Sequence, residues 1–197
     1  MVSYSNIDIF NSRLPKRTPV PTNVVLSLHH RFNYRLEYFH KVLKEEEGIR
    51  ELLHTAPLSY KYKNILIDLK TEVIEEEETP CTIKGWHLDG KREVNTNKPS
   101  ESLYHIFITG GCPTEFLAEP LVSENYGILN QRVFAKYNLD NTSHNIYKLP
   151  LNCWNTYTEN DWHRGAVADT KTVRTFIRVV ESDYIKPQGK KWDIQNS

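Results

Sequence analysis

His87 and Asp89 stand two residues apart in the segment Ile83-Lys84-Gly85-Trp86-His87-Leu88-Asp89-Gly90. Along a strand, side chains two apart project from the same face. An imidazole and a carboxylate would there lie close enough to share a metal ion. A third candidate ligand follows far downstream, in Trp162-His163-Arg164-Gly165. Two histidines and one carboxylate on one face of an octahedron leave three positions open, an arrangement suited to Fe(II) with O₂ and a bidentate oxoacid. A His-x-Asp pair alone is weak, because an ion-paired surface histidine and aspartate give the same pattern. The distal histidine and its sequel raise it above that alternative.

That sequel is Thr172-Val173-Arg174-Thr175-Phe176-Ile177-Arg178-Val179-Val180, in which Arg174 lies eleven residues after His163 and Arg178 four further on. On a strand the two arginines share a face. With these residues the chain resembles the Fe(II)- and 2-oxoglutarate-dependent dioxygenases. In that family a His-x-Asp on an early strand, a distal His on a late strand and a later basic residue recur. His87, Asp89 and His163 match the three metal ligands. Arg174 matches the residue that pairs with the far carboxylate of 2-oxoglutarate. Arg178 falls where some members carry a second arginine, so either could be the anchor.

The stretch from Tyr104 to Phe116, with Gly110-Gly111 and Thr114-Glu115-Phe116, is similar to the strand, Gly-Gly turn and Thr-x-Phe strand of prolyl-hydroxylase-like members. Here the turn is one residue longer, through Pro113. The resemblance covers roughly residues 80 to 182. It implies a double-stranded β-helix, Fe(II) as the metal, and 2-oxoglutarate and O₂ as cosubstrates. The implied reaction is hydroxylation of a small molecule or protein side chain, with decarboxylation of 2-oxoglutarate to succinate and CO₂. Tyr104 could reach the cosubstrate from a neighbouring strand. Phe176 stands where many members have Ser or Thr. The ligating histidines must be neutral, so activity should fall on acidification.

Other residues carry blander readings. Trp86 and Trp162 each precede a ligand and should face away from it, into a core. Lys91 and Arg92 could grip an anionic substrate, although exposed basic residues are usually only solvated. His29, His30, His40, His54, His105 and His144 have no partnered spacing and read as structural or surface residues. Two competing classes stand beside the oxygenase reading: a non-catalytic jelly-roll protein, and a cupin-like metal enzyme that does not use 2-oxoglutarate. Cupin sites usually carry more histidines and a glutamate in one short motif. A structural protein has no reason to bury a cation such as Arg174.

The elements that must position these residues are legible in part. Three prolines (Pro15, Pro19, Pro21) suggest an extended arm or leading edge strand. Phe32, Leu36, Phe39 and Leu43 recur at helical steps, with Ile49, Leu52 and Leu53 continuing past a possible interruption at Gly48. From Lys63 the period becomes two, through Ile65, Ile67, Leu69, Thr71 and Val73, which predicts a half-buried strand. The acidic run Glu75 to Glu78, with Thr79-Pro80, reads as a hairpin tip. Short strands are predicted near 82–89, 102–109, 114–118, 145–151 and 172–181. Val122, Tyr126, Leu129 and Val133 keep helical spacing, so 122–136 reads as a second helix or a long connection. The order predicts a mainly β fold with flanking helices, a sandwich or jelly roll with an N-terminal helix packed on it.

Length and charge bound the rest. The 197 residues suit a single domain. Within it, 1–80 reads as a supporting strand and helix region, 81–182 as the β core and 183–197 as a tail. Lysine plus arginine equals aspartate plus glutamate at 25 each. A chain so balanced has no field with which to seek double-stranded nucleic acid or an anionic membrane. Met1 to Arg13 lacks the apolar core of a secretory signal, and no stretch is long and apolar enough to span a bilayer. Cys81, Cys112 and Cys153 form no CxxC pair and read as free buried thiols in a reducing, cytoplasmic setting.

Overall fold

Period-two alternation runs through two eleven-residue strands, β4 (Asn64–Ile74) and β11 (Thr172–Ser182), which pair antiparallel along their whole length. The computed structural model describes residues 8–10, 14–24, 32–80, 85–89, 102–119, 121–123, 135–136, 139–140 and 143–188, the segments 8–10 and 121–123 by backbone alone. Before β4 lie β1 (Asp8–Phe10), β2 (Lys16–Pro19), β3 (Asn33–Tyr38), α1 (Phe39–Glu45) and α2 (Glu47–His54). After it come β5 (Ser102–Gly110), β6 (Thr114–Leu117), β7 (Leu121–Ser123), β8 (Ile146–Lys148), β9 (Cys153–Thr158) and β10 (His163–Gly165). The protein is mainly β, and these strands pair antiparallel throughout.

The large sheet has the order β2-β9-β5-β11-β4-β3, and a smaller one the order β10-β6-β8. Each central strand of the large sheet splits its side chains between two cores. Ile67 and Leu69 of β4, Phe107 of β5, Trp154 of β9, and Ile177 and Val179 of β11 pack against Val42, Ile49, Leu52 and Leu53 of the two helices. Residues of the opposite parity on the same strands, Leu66, Tyr104, Ile106, Ile108, Tyr157 and Val180, pack on the opposite face against Phe116 of β6 and Leu149. The two sheets thus face one another across an apolar layer, as in a β-sandwich. The helices cover the far side.

The predicted helix starts seven residues late. Phe32 to Tyr38 is extended, and β3 adds an edge to β4 with a bulge between Tyr34 and Glu37. Leu36 takes a positive φ of 44° in that bulge, and its amide N–H donates to Asp68 at 2.9 Å. The helical spacing is real only from Phe39 onward, and the break falls at Glu46 rather than Gly48. Sequence reading also missed β9, whose Asn and Thr content hides a strand buried on both faces. The segment predicted at 145–151 is a strand only over Ile146–Lys148. In 122–136 the first two residues belong to strand β7, and most of the remainder lies outside the described residues. The strands predicted at 102–109, 114–118 and 172–181 form, the edge strand near Pro19 is β2, and the acidic run makes a turn held by Glu77 and Glu78 against Ala168.

Cys112 and Cys153 are free and buried, while Cys81 lies outside the described residues. No described helix is long and apolar enough to cross a membrane.

Two local constraints hold the sheet ends. Gly110 closes β5 with φ of +88°, and a Cβ there would meet the Val173 carbonyl oxygen at 1.9 Å. Gly110→Ala should therefore cost about 2 kcal/mol or more in urea denaturation, since both a left-handed strain and a backbone clash oppose it. At the other end, His105 Nε2 meets Glu181 Oε1 at 2.9 Å, and Glu181 also accepts from the amides of Ser59 and Tyr60. Burial lowers the His105 pKa below its usual 6.5 despite Glu181. For Glu181, burial is outweighed by the hydrogen bonds from Ser59, His105 and Tyr60, which hold it below the usual carboxylate value. Both folded values lie below the unfolded ones, so this stabilisation is complete above about pH 6.5 and is lost as pH falls through the folded values. Melting of the metal-free protein should show a lower Tm at pH 5 than at pH 7, and His105→Gln should shrink the difference.

Candidate metal centre

The two histidines are set by backbone register before any side chain is considered. Segment 85–89 lies alongside β10 through an isolated bridge in which His87 and His163 are directly opposed. His87 N–H donates to the His163 carbonyl at 2.9 Å, and His163 N–H donates back at 3.1 Å. Their rings sit 4.4 Å apart between centroids. β10 in turn pairs with β6, placing His163 opposite Phe116, whose ring stacks on the imidazole at 5.2 Å.

Alternation then does what the sequence predicts. Trp86 and Leu88 turn away with Trp162 into a separate buried cluster that includes Leu117 and Leu139, while His87 and Asp89 turn to the other side. One ligand atom from each of His87, Asp89 and His163 lies within 4.8 Å of the others. Both imidazoles are pre-set for ligation. His87 Nδ1 is 3.0 Å from the Gly85 carbonyl and His163 Nδ1 is 2.9 Å from the Asp161 carbonyl. A carbonyl only accepts, so each Nδ1 carries the proton and each Nε2 keeps its lone pair for a metal. His163 Nε2 points at Asp89 Oδ2, 3.3 Å away. This donor set fits a divalent cation.

The large sheet supplies the surroundings of Asp89. Tyr157 of β9 donates its hydroxyl to Asp89 Oδ2 at 2.6 Å, and Arg178 of β11 donates Nη1 to Oδ1 at 2.6 Å. Arg178 also gives Nε and Nη2 to Asp68 Oδ2 at 2.9 and 2.6 Å. Burial pushes the Asp89 carboxyl up, but the Arg178 charge, joined by the imidazoles whenever they are protonated, outweighs it and holds the group well below the usual carboxylate range. Burial and the charge of Asp89 push the Tyr157 phenol up, so it remains a proton donor. Against its own burial, Arg178 is kept charged by Asp89 and Asp68.

Arg174 lies on the same face of β11 as Arg178, four residues away. It is 3% exposed, and donates to Thr114 Oγ1 and to Glu72 Oε1, each at 3.3 Å. Phe176 separates the arginines, its ring centroid 4.9 Å from the Arg174 guanidinium carbon and 5.9 Å from that of Arg178. Tyr104 is buried, stacks on Tyr157 at 5.1 Å and lies under Arg178, as a wall of the site. Lys91 and Arg92 lie outside the described residues, as do His29 and His30.

Sequence reasoning missed Tyr157, Asp68 and Glu72. Asp68 and Glu72 do share the period-two face of β4, a signal that was available. Tyr157 sits in the strand that was not recognised. No family model, no curated protein and no solved structure matches the chain.

Removing a ligand should be severe. Loss of an outer partner costs roughly 10–100-fold in metal affinity. His163→Ala should therefore lower Mn(II) affinity by more than about a hundredfold in anaerobic titration, and Tyr157→Phe by roughly tenfold. Arg178→Met should destabilise the metal-free protein by about 3–5 kcal/mol, because Asp68 and Asp89 lose their shared cation. Saturating Mn(II) should recover part of that loss in urea denaturation.

Proposed function

We propose that the protein is a non-haem Fe(II)- and 2-oxoglutarate-dependent dioxygenase that hydroxylates a small molecule or protein side chain. Its facing antiparallel sheets are then read as a double-stranded β-helix core. The observation that carries this reading is the arrangement of His87, Asp89 and His163. Two Nε2 lone pairs and one carboxylate converge, with a buried arginine further along the strand that supports the carboxylate. A two-histidine, one-carboxylate set with open positions favours Fe(II) among the common metals. When bound, the metal and 2-oxoglutarate supply the oxidising chemistry, with succinate and CO₂ as by-products.

The chain's own residues divide the remaining work. His87, Asp89 and His163 hold the metal. Tyr157 and Arg178 orient Asp89, one on each oxygen. Arg174 is the anchor for the far carboxylate of the cosubstrate. Arg178 is spent on Asp68 and Asp89 through contacts of 2.6–2.9 Å, whereas Arg174 meets Glu72 and Thr114 more loosely, each at 3.3 Å. Along β11 the two arginines are separated by about 13 Å of strand, which spaces the anchor away from the metal ligands. Thr114 contributes a hydroxyl beside the anchor from β6, in place of the Ser or Thr absent at Phe176.

Charge supports a dianionic cosubstrate. On this face Asp68, Glu72 and Asp89 are matched by Lys70, Arg174 and Arg178. A divalent cation leaves two positive charges in excess, and the two carboxylates of 2-oxoglutarate offset them.

Anaerobic mixing of the protein with Fe(II) and 2-oxoglutarate should give a weak visible charge-transfer band from the chelate. Arg174→Ala should weaken 2-oxoglutarate binding by roughly a hundredfold while leaving metal affinity near wild type, the loss expected for one buried charge-assisted pair. Absence of the band, with no 2-oxoglutarate-dependent rise in Tm, would remove the cosubstrate from the reading.

A further inference from the structure

Arg174 is nearly inaccessible, yet a carboxylate already stands against it. Glu72, directly opposite Arg174 in the β4–β11 register, reaches Nη1 with Oε1 at 3.3 Å. Its other oxygen accepts from Lys70 Nζ at 2.8 Å, and that ammonium also donates to the Pro80 carbonyl at 3.1 Å. The three side chains are graded in exposure: Arg174 3%, Lys70 11% and Glu72 21%. The carboxylate therefore sits on the solvent side of the guanidinium. Its grip on Lys70 is tight and its grip on Arg174 is long.

We infer that Glu72 is an exchangeable internal counter-ion that occupies Arg174 until an incoming dicarboxylic acid displaces it onto Lys70, and that it thereby sets affinity and selectivity for that acid. The inference rests on the proposed role of Arg174 as the far-carboxylate anchor.

The physical case has three parts. A guanidinium this buried needs a counter-charge, since an uncompensated ion in the interior is strongly destabilising. Glu72 meets that need when no ligand is bound. Displacement is feasible because the long contact is the one surrendered, while the short contact to Lys70 keeps the glutamate charge paired. By contrast, Arg178 is held by two aspartates at hydrogen-bond distances of 2.6–2.9 Å and has no such exchange open to it.

Selectivity follows from competition. An acid that meets Arg174 with one carboxylate must outcompete a tethered carboxylate of high local concentration. A ligand also held at its other end by the metal can do so, because its second contact is intramolecular. A monocarboxylic oxoacid held only at the metal does not meet Glu72 and gains nothing from Arg174. A dicarboxylate without a keto group lacks the chelating end. Glu72 is thus a built-in competitor against anions that engage Arg174, strongest in effect on those held only at that end.

The test is calorimetric titration of the Mn(II)-loaded protein with 2-oxoglutarate, pyruvate and glutarate. Wild type is compared with Glu72→Gln and with Lys70→Met. Metal affinity and Tm are measured separately for each. Glu72→Gln should tighten 2-oxoglutarate on the order of tenfold, the scale of one charge-assisted contact no longer opposed. Pyruvate should change less than about twofold, and glutarate should become measurable, since only the anchor end was altered. Lys70→Met should act in the opposite sense and weaken 2-oxoglutarate, because Glu72 then has only Arg174 to pair with.

If wild type binds 2-oxoglutarate and Glu72→Gln binds it equally or more weakly, the counter-ion role is overturned and the anchor reading stands. If Glu72→Gln does not fold, unchanged or tighter binding by Lys70→Met overturns the role in the same way. If no variant and no wild-type protein binds 2-oxoglutarate, the anchor reading falls and this inference with it.

Discussion

A single guanidinium ties the architecture to the site. Arg178 projects from the middle of β11 into the space between the sheets, where an unpaired charge would be prohibitive. Asp68 from β4 and Asp89 from segment 85–89 compensate it. Each partner constrains something else. Asp68 also accepts the Leu36 amide, so the bulge of β3 is fixed to the same ion pair. Asp89 in turn is delivered to the two histidines. A strand edge, the central strand pair and the candidate ligands are thus joined through one side chain. Such a pair is weak support for net stability but strongly specifies geometry, because each alternative arrangement strands a buried charge.

The second constraint is in the backbone. His87 and His163 come from segments 76 residues apart, and a reciprocal pair of backbone hydrogen bonds sets them face to face. The backbone also assigns the tautomers, since the carbonyls of Gly85 and Asp161 each take an Nδ1 proton. The ligands are therefore held by the main chain and their own nearby carbonyls. Movement of surface loops need not disturb them. The two tryptophans beside the ligands reinforce this: Trp86 and Trp162 are buried in their own cluster and anchor the strand pair from behind.

The face of β4 and β11 that looks toward the centre carries Lys70, Glu72 and Arg174 at one end and Asp68 and Arg178, met by Asp89 of segment 85–89, at the other, with Phe176 between. Its two ends differ in character. The Asp89 end is short, saturated and rigid. The Arg174 end is looser, with contacts of 3.3 Å, and partly open to water at Glu72.

Much of this was already legible in the residues alone. Period two in β4 and β11, the turn at Gly110-Gly111, and the same-face placement of His87 and Asp89 all follow from local geometry, because side-chain alternation is a property of the extended chain itself. What the sequence left open was long-range. Helical spacing over Phe32 to Leu36 was overridden because an edge of β4 offered backbone pairing there. β9 was hidden because its polar content masks the alternation, and the partners that Thr156 and Tyr157 meet, His105 and Asp89, are distant along the chain. Which arginine meets the candidate ligands could not be read from a strand on which both share a face; that depended on the carboxylates brought up by β4 and by segment 85–89. The ligand types and their alternation belong to the sequence. The partners Tyr157, Asp68 and Glu72, and the separate fates of Arg174 and Arg178, belong to the tertiary structure, because buried charge is settled by neighbours distant along the chain.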